Sequence, residues 1–405
     1  MPEAVIVATA RSPIGRAGKG SLRDVRPDDL AAQMVRAALA KLPELDPAEV
    51  VDLILGCGSP AGEQGNNLGR AVAVLAGMDH VPGVTVNRYC SSSLQTTRMA
   101  FHAIKAGEGD VFISAGVEAV SRYAHGFSDN PDARNPVFAD AEKATEIRAL
   151  GGADEWVDPR ASGALPDIYI GMGQTAENVA QVLGMSRREQ DEFGVRSQNL
   201  AEQRIAEGFW AREITPVTLP GGATLTSDDG PRAGVTLEAV SQLKPVFRPD
   251  GTVTAGNACP LNDGAAAVVI MSDTKAKDLG LTPLARIVST AVTGLSPEIM
   301  GLGPVEAIPA ALNNAGMKLD DIDLVEINEA FAVQSLGSAQ MLGIPLDKLN
   351  VNGGAIAVGH PFGMTGARIT ATLINSLEWH DKQFGIESMC VGGGQGMAMV
   401  LERLS

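Results

Sequence analysis

Apolar and polar positions follow a plan along this chain that occurs twice. "AVIVATA" from Ala4 and "ARIVSTA" from Ala285 are short, β-branched runs of the kind that strands buried on both faces carry. "AALAKLPELDPAEVVDLILGC" (Ala37 to Cys57) and "AALNNAGMKLDDIDLVEINEA" (Ala310 to Ala330) each read as the end of a helix, an acidic turn and a buried strand. "VTVN" (Val84 to Asn87) opens through a small-residue turn into a helix with Leu94, Thr97, Phe101 and Ile104 on one face and Gly107 as its stop. "LNVN" (Leu349 to Asn352) is expected to form a strand and do likewise through "GGAIAVGHPFGMTG". Each helix is followed by another strand, "DVFISAGVE" (Asp110 to Glu118) and "FGIESMCVGGG" (Phe384 to Gly394).

Two copies of one β-α-β-type unit in the same order predict duplicated halves around a pseudo-twofold axis. In the second copy, "SMCVGG" turns through "GQG" into "MAMVLE", as a tight glycine-rich hairpin would. In the first copy the matching strands are "DVFISAGVE" and "AAAVVIMS" (Ala265 to Ser272), and everything between them is extra. That segment starts polar and loop-rich ("SDNPDARNP") and later carries a helix opened by a capping box of Ser186 and Glu189. The expected division is therefore residues 1–119 with 264–282 as an N-terminal half, 120–263 as an inserted loop domain, and 283–405 as a C-terminal half. Insertions of this size tend to cover a site.

Composition sharpens this reading. With 405 residues, 45% hydrophobic and 20% charged, the chain supplies more than one core, and 46 glycines with 4% aromatics favour an α/β class. A formal net charge of -16 argues against nucleic acid and against an anionic membrane surface as partners. An anionic small ligand would need local cations, for which Arg187, Arg188, Arg232, Lys244 and Arg248 are candidates. Neither a signal peptide nor a bilayer-spanning stretch is evident, so the expected location is cytoplasmic. The four cysteines, Cys57, Cys90, Cys259 and Cys390, have no CxxC spacing and no nearby histidine, which predicts free thiols and no metal site.

Candidate chemistry gathers at the ends of the predicted strands. Cys90 sits where a strand passes into a helix, and a helix N-terminus favours the thiolate. Taken alone, Cys90 reads more readily as a small buried hydrophobe, the commoner fate of a cysteine. His360, in the glycine-rich turn at the corresponding place of the second copy, changes that weighting, because the pseudo-symmetry would bring a nucleophile and a general base face to face. Asn328 ends the strand "DLVEIN", where the alternative is a helix N-cap. Cys390 precedes "VGGGQG", whose backbone N–H groups are available to an oxyanion; the alternative is a buried strand thiol.

As an ordered set these segments resemble the thiolase family. "NRYCSSSLQ" is similar to its nucleophile motif, "NEAF" (Asn328 to Phe331) to its asparagine motif, "GHPFGMTG" to its histidine motif and "CVGGGQG" to its second-cysteine motif. "ARSPIG", "SAGVEAVS", "GMGQTAENVA", "DGTVTAGNACPLNDGAAA" and "NVNGGAIAVGHP" extend the likeness over essentially the whole chain. The resemblance implies a thiolase fold, with two βαβαβαββ-type halves in a five-layered α-β-α-β-α core and an inserted loop domain. It implies acyl transfer to and from coenzyme A through an acyl-enzyme, with CoA as substrate and no metal or redox cofactor. Cys90 would be the nucleophile, His360 its activator and Cys390 the acid/base. His360 with a water held by Asn328 would form one oxyanion hole, and the N–H groups of Cys90 and Gly392 the other.

The same resemblance assigns Arg232 to CoA contact, and Met172, Phe247, Ala255 and Phe331 to the pantetheine channel. Cys259, followed by Pro260, stands where the family commonly has Ser then Gly or Gln, so the usual hydroxyl contact is altered. Ser93 and Ala115 replace usual glycines, and Gly171 stands where acetoacetyl-CoA enzymes often carry histidine. With "PEIMGLGPVEAIPAAL", this tilts the expectation towards cleavage of longer 3-ketoacyl-CoA substrates in β-oxidation, ahead of an acetoacetyl-CoA-forming acetyltransferase. A ketoacyl synthase would leave Cys390 without a task, and a non-catalytic lipid carrier would not need all four reactive residues. "EQGNN" after Gly62, expected to be exposed, resembles the family's dimer contact, which implies a homodimer or homotetramer.

Overall fold

The computed structural model describes residues 2–152 and 155–405. The chain begins with β1 (Ala4–Arg11), a two-residue β2 (Gly15–Arg16), α1 (Pro27–Leu39), β3 (Asp52–Gly56), α2 (Leu68–Leu75), β4 (Gly83–Val86), α3 (Ser92–Ala106) and β5 (Val111–Ala119). Next come α4 (Ala139–Ala149), α5 (Met172–Leu183), α6 (Arg187–Ala206), α7 (Phe209–Glu213), the short pair β6 (Val217–Thr218) and β7 (Thr224–Leu225), and α8 (Leu237–Ser241). The chain then returns through β8 (Asn262–Ser272) and α9 (Asp273–Asp278). The second copy runs β9 (Ala285–Gly294), α10 (Gly303–Ala315), β10 (Leu324–Ile327), α11 (Ala332–Leu342), α12 (Ala355–Val358), α13 (Thr365–Trp379), β11 (Phe384–Val391) and β12 (Gln395–Arg403).

Both copies contribute to one sheet of order β10-β11-β12-β9-β1-β8-β5-β3-β4, with β2 on β8. The two copies meet where β1 and β9 pair antiparallel through Val5 with Arg286 and Ile6 with Ala285. Read outward from that seam, β8, β5 and β3 match β12, β11 and β10, down to the parallel pairing of the last two. Because successive strand residues point to opposite faces, each strand feeds two cores. Val5 and Val7 pack with Met34 and Val35 of α1, while Ala4 and Ile6 pack with Leu94 of α3 and Ile369 of α13. Ala398 and Val400 of β12 join Ala307 and Ile308 of α10, while Met397 and Met399 face the α3 and α13 side. The result is an alternation of helix and sheet layers of the kind the family resemblance implied, with α3 and α13 as the central layer.

Local signals were obeyed where they were strong. Gly107 ends α3 in the left-handed conformation at φ 78°. Ser186 and Glu189 form the capping box of α6. Gly393 and Gly394, at φ 76° and 80°, turn β11 into β12. "LNVN" departs from expectation: it forms isolated bridges, not a strand. Asn350 lies at φ 44°, and its side chain both accepts from Ile327 N and donates to Ile327 O, so after two backbone bonds to Val325 one amide takes over from the ladder a strand would have continued beside β10. "EQGNN" departs as well. Asn66 and Asn67 are exposed, but Gln64 is buried, with its amide donating to Glu118 at 2.7 Å.

The central helices touch through a glycine. A Cβ on Gly366 would lie 2.0 Å from the Leu94 nitrogen, so α13 crosses the start of α3 at backbone contact. Gly366→Ala is expected to overpack this crossing and destabilise by about 1–3 kcal/mol. Gly171→Ala, whose Cβ would meet nothing within 4 Å, should stay within about 0.5 kcal/mol of wild type. Urea denaturation midpoints of the two variants check this contrast, and equal midpoints would contradict it.

Candidate active site

Cys90 is presented by a strained turn. β4 ends at Val86, the Asn87 side chain accepts from Tyr89 N at 2.8 Å, and Tyr89 adopts a left-handed φ of 44°, costly for an aromatic residue. Cys90 follows in a 3-10 turn, Tyr89–Ser91, that leads directly into α3. Its thiol is pushed up to about 11, chiefly by burial, against a lowering hydrogen bond from the Gly392 backbone. The expectation that the helix N-terminus would favour the thiolate is therefore corrected. Desolvation outweighs it, and the resting sulfur is protonated at neutral pH.

His360 lies in the loop before α13, which docks on the Cys90 turn. Ala367 N donates to Ser93 Oγ at 2.9 Å, and Gly363 N to the buried carboxylate of Glu118 at 2.8 Å. Gly359, at φ 114°, lets the chain pass where a Cβ would strike Ile14 and the Asn262 amide. His360 N then donates to Asn262 Oδ1 at 2.9 Å. The ring is held at Nδ1 by Thr365 Oγ1 at 2.7 Å. Thr365 spends its only hydroxyl hydrogen on Pro361 O at 2.7 Å, so Nδ1 carries the ring proton and Nε2 presents its lone pair. Nε2 is buried with no partner. Burial, and then the Arg368 charge, lower the imidazole to about 3, which keeps it a neutral base.

Asn328 and Cys390 come from adjacent parallel strands. Asn328 N donates to Ser388 O at 3.0 Å, its Oδ1 accepts from Arg368 Nη2 at 3.2 Å, and its Nδ2 is buried without a partner. It is not the N-cap of α11, a position held by Phe331. Cys390, opposite Gly396 of β12, is fully buried. Its thiol is raised well above the ordinary value by burial and then by Cys90 and Cys259. Cys259, whose N donates to Ala330 O at 3.1 Å, is pushed to about 12 by burial and then by Cys90. Cys90, Cys259 and Cys390 thus lie within electrostatic reach of one another, and Cys57 stands apart, 3.8 Å from Glu118. The four cysteines are free. Among the described residues no group of His, Cys, Asp and Glu is arranged to hold a metal ion.

The residues expected to meet CoA are spread over a wider face. Phe247 and Phe331 meet edge to face at 6.2 Å, and Met172, the first residue of α5, packs in the same cluster. Ala255 and Arg232 are exposed. Arg232 makes no ion pair among the described residues; its backbone N donates to Gln198 at 3.0 Å, and partial burial, then the nearby Arg16 charge, lower its pKa. Three other candidate cations are engaged. Arg248 is buried against Gln174 and Asn178, Arg187 pairs with Asp191, and Arg188 pairs with Glu192. Sequence reasoning missed Glu118, Thr365 and Arg368. The signal for Glu118 was a lone carboxylate closing an apolar strand, and for the other two it was polar residues recurring along an otherwise buried helix face.

Two proton-bearing sulfurs, a neutral base and an amide with a free donor are thus placed where strands from both halves end. Such a set can form a thioester at one sulfur, move a proton at another and hold an oxyanion between them.

Comparison with known proteins gives two matches to family models, "Thiolase, N-terminal domain" over residues 4–274 and "Thiolase, C-terminal domain" over residues 281–403. A 3-ketoacyl-CoA thiolase of Bacillus subtilis (strain 168) is 44% identical over 415 residues, covering 99% of this chain and 100% of that one. A beta-ketoadipyl-CoA thiolase of Pseudomonas aeruginosa is 43% identical over 411 residues, covering 99% of each. The crystal structure of the dimeric peroxisomal thiolase of Saccharomyces cerevisiae superposes with a TM-score of 0.88 at 36% identity, covering 99% of this chain and 97% of that one.

Neutral burial of His360 has a pH signature. An unfolded histidine protonates near pH 6.5, whereas in the fold the ring stays neutral down to about 3. The stability it contributes is complete above the unfolded value and is lost as pH falls towards the folded one. Denaturation midpoints of wild type and His360→Asn at pH 7.5, 6 and 5 should therefore draw together on acidification. A difference that is constant or grows would contradict the neutral ring.

Proposed function

Because this chain belongs to the thiolase family of acyltransferases, we propose that it cleaves 3-ketoacyl-CoA with coenzyme A, giving acetyl-CoA and an acyl-CoA two carbons shorter, in fatty acid or related lipid breakdown. The observation that carries this reading is that His360 Nε2 and Asn328 Nδ2 are both buried and unpartnered, in a chain whose Cys90 and Cys390 thiols are buried within electrostatic reach of each other. An unsatisfied buried donor or acceptor costs about 1–3 kcal/mol, a cost that a substrate oxygen and its bridging water would relieve.

The steps balance on these residues. Cys90 sulfur attacks the 3-keto carbon as its proton passes to His360 Nε2, and the oxyanion formed there is met by the N–H groups of Cys90 and Gly392. The C2–C3 bond then breaks, leaving an acyl thioester on Cys90 and the enolate of acetyl-CoA. The imidazolium N–H and a water held by Asn328 stabilise the enolate oxygen, and Cys390 delivers its proton to C2. Coenzyme A gives its own proton to the Cys390 thiolate and attacks the thioester. Cys90 leaves and recovers its proton from His360. No metal or redox group is required by this sequence, so coenzyme A enters only as substrate.

The proposed preference for acyl chains longer than that of acetoacetyl-CoA rests on Gly171, at the start of α5, standing where acetoacetyl-CoA enzymes of the family often carry histidine. Phe247, Phe331, Met172, Ala255 and Cys259 would line the pantetheine arm, with Arg232 available to a phosphate. The proposed assembly is at least a homodimer. β4 ends the sheet with one unpaired edge and is partly exposed throughout, and such an edge invites pairing with a second copy. The proposed location is the cytoplasm, whose reducing conditions keep thiols free. Among the described residues no helix is long and apolar enough to cross a membrane.

Intact mass after incubation with a 3-ketoacyl-CoA is expected to show an acyl adduct on wild type and none on Cys90→Ala. Cys390→Ala should still be acylated by simple acyl-CoA donors but lose carbon–carbon bond cleavage by at least about 100-fold; equal loss of both half-reactions would contradict this division of labour. Across a panel of 3-ketoacyl-CoA lengths, kcat/KM should rise beyond acetoacetyl-CoA. A maximum at acetoacetyl-CoA would instead indicate an acetyl-CoA acetyltransferase.

A further inference from the structure

Two side chains one turn apart on α13 each hold one of the unpartnered groups. Thr365 receives the His360 Nδ1 proton, and Arg368 donates from Nη2 to Asn328 Oδ1. Residues three apart lie on the same face of a helix, so a single turn sets both the imidazole and the amide. Guanidinium has donors and no acceptor, which means the Asn328 amide can meet it only through oxygen. The NH2 group must then face away from Arg368, and Nδ2 is indeed the atom left without a partner.

The side chain of Arg368 is fully buried; it pairs with Glu326 at 3.4 Å, and Glu213 and Glu329 lie within electrostatic reach. Burial outweighs the guanidinium at Glu326 and pushes that carboxyl up to about 8. Glu387, which faces the same cluster, is raised well above the ordinary carboxylate value by burial. Burial thus works against charge on both carboxyls, while the guanidinium keeps its proton. The Arg368 guanidinium stands behind the amide, close enough to oppose protonation of His360.

We propose that Arg368 is a positioning residue for the reaction, fixing the Asn328 amide with its NH2 towards the substrate and placing a buried positive charge behind the oxyanion that Asn328 and His360 serve. The proposal rests on the reading of Asn328 and His360 given above. Lysine in place of Arg368 keeps the charge but loses the planar fork that fixes the amide.

The test is a double-mutant cycle with a second variant that leaves Arg368 untouched. Arg368→Lys should lower kcat for thiolysis at least about tenfold with KM changed less than about twofold, yet have less than about a twofold further effect in an Asn328→Ala background. Multiplicative losses, or an unchanged kcat in Arg368→Lys, would overturn the proposal. Should Arg368→Lys fail to fold, Asn328→Asp decides: its carboxylate gains the guanidinium but offers no donor. It should melt no lower than wild type while losing at least about 100-fold in kcat, and a melting point several degrees lower would overturn the proposal. If Asn328→Ala itself turned over normally, the site reading would fall together with this inference.

Discussion

In the proposed reaction a thiol and an imidazole exchange a proton only when substrate arrives, and they must first be kept from exchanging it with water. Burial does this in the present chain. It raises Cys90 to about 11 and lowers His360 to about 3, so burial disfavours the charged pair from both sides. Negative charge developing on a bound carbonyl is what would make the imidazolium favourable. Burial within the surrounding layers thus favours the neutral form of both groups.

That burial depends on how closely the two copies fit. The seam between β1 and β9 is only two residue pairs long, and most of the joining is done by the central helices and by polar contacts around the histidine loop. Glu118 collects the N–H groups of Gly58, Ser59 and Gly363 together with the side chains of Gln64 and Tyr123. It ties the ends of β3 and β5 to the histidine loop of the other copy. A carboxylate so well supplied with donors is satisfied although fully buried, and it lends rigidity to a place where many segments only touch.

Signals confined to one turn could be read directly from the sequence. The stop of α3 at Gly107, the capping box at Ser186 and the glycine hairpin before β12 each depend on a few neighbouring residues. What failed depended on distant partners. Asn350 leaves its expected strand because Ile327 and Glu329, more than twenty residues away, take up its amide. Arg248 looked like an anion-binding cation, but it is committed to Gln174 and Asn178 across some seventy residues. The same holds for the site. The positions of Cys90, His360, Asn328 and Cys390 were marked by their motifs. The neutral state of Cys90 was not, since a helix start is visible in a sequence and desolvation is not. Nor was Arg368, forty residues from the amide it holds.

Where Gly363 and Gly366 stand, a single methyl group would intrude on backbone atoms, Val117 O at 2.3 Å and Leu94 N at 2.0 Å. The stretch that carries the imidazole therefore has almost no room to vary, whereas Gly171, Gly221 and Gly234 in the segment between β5 and β8 face open space. Side chains can therefore be added at Gly171 and Gly221 without moving backbone, and cannot be added where the histidine loop closes on the first copy.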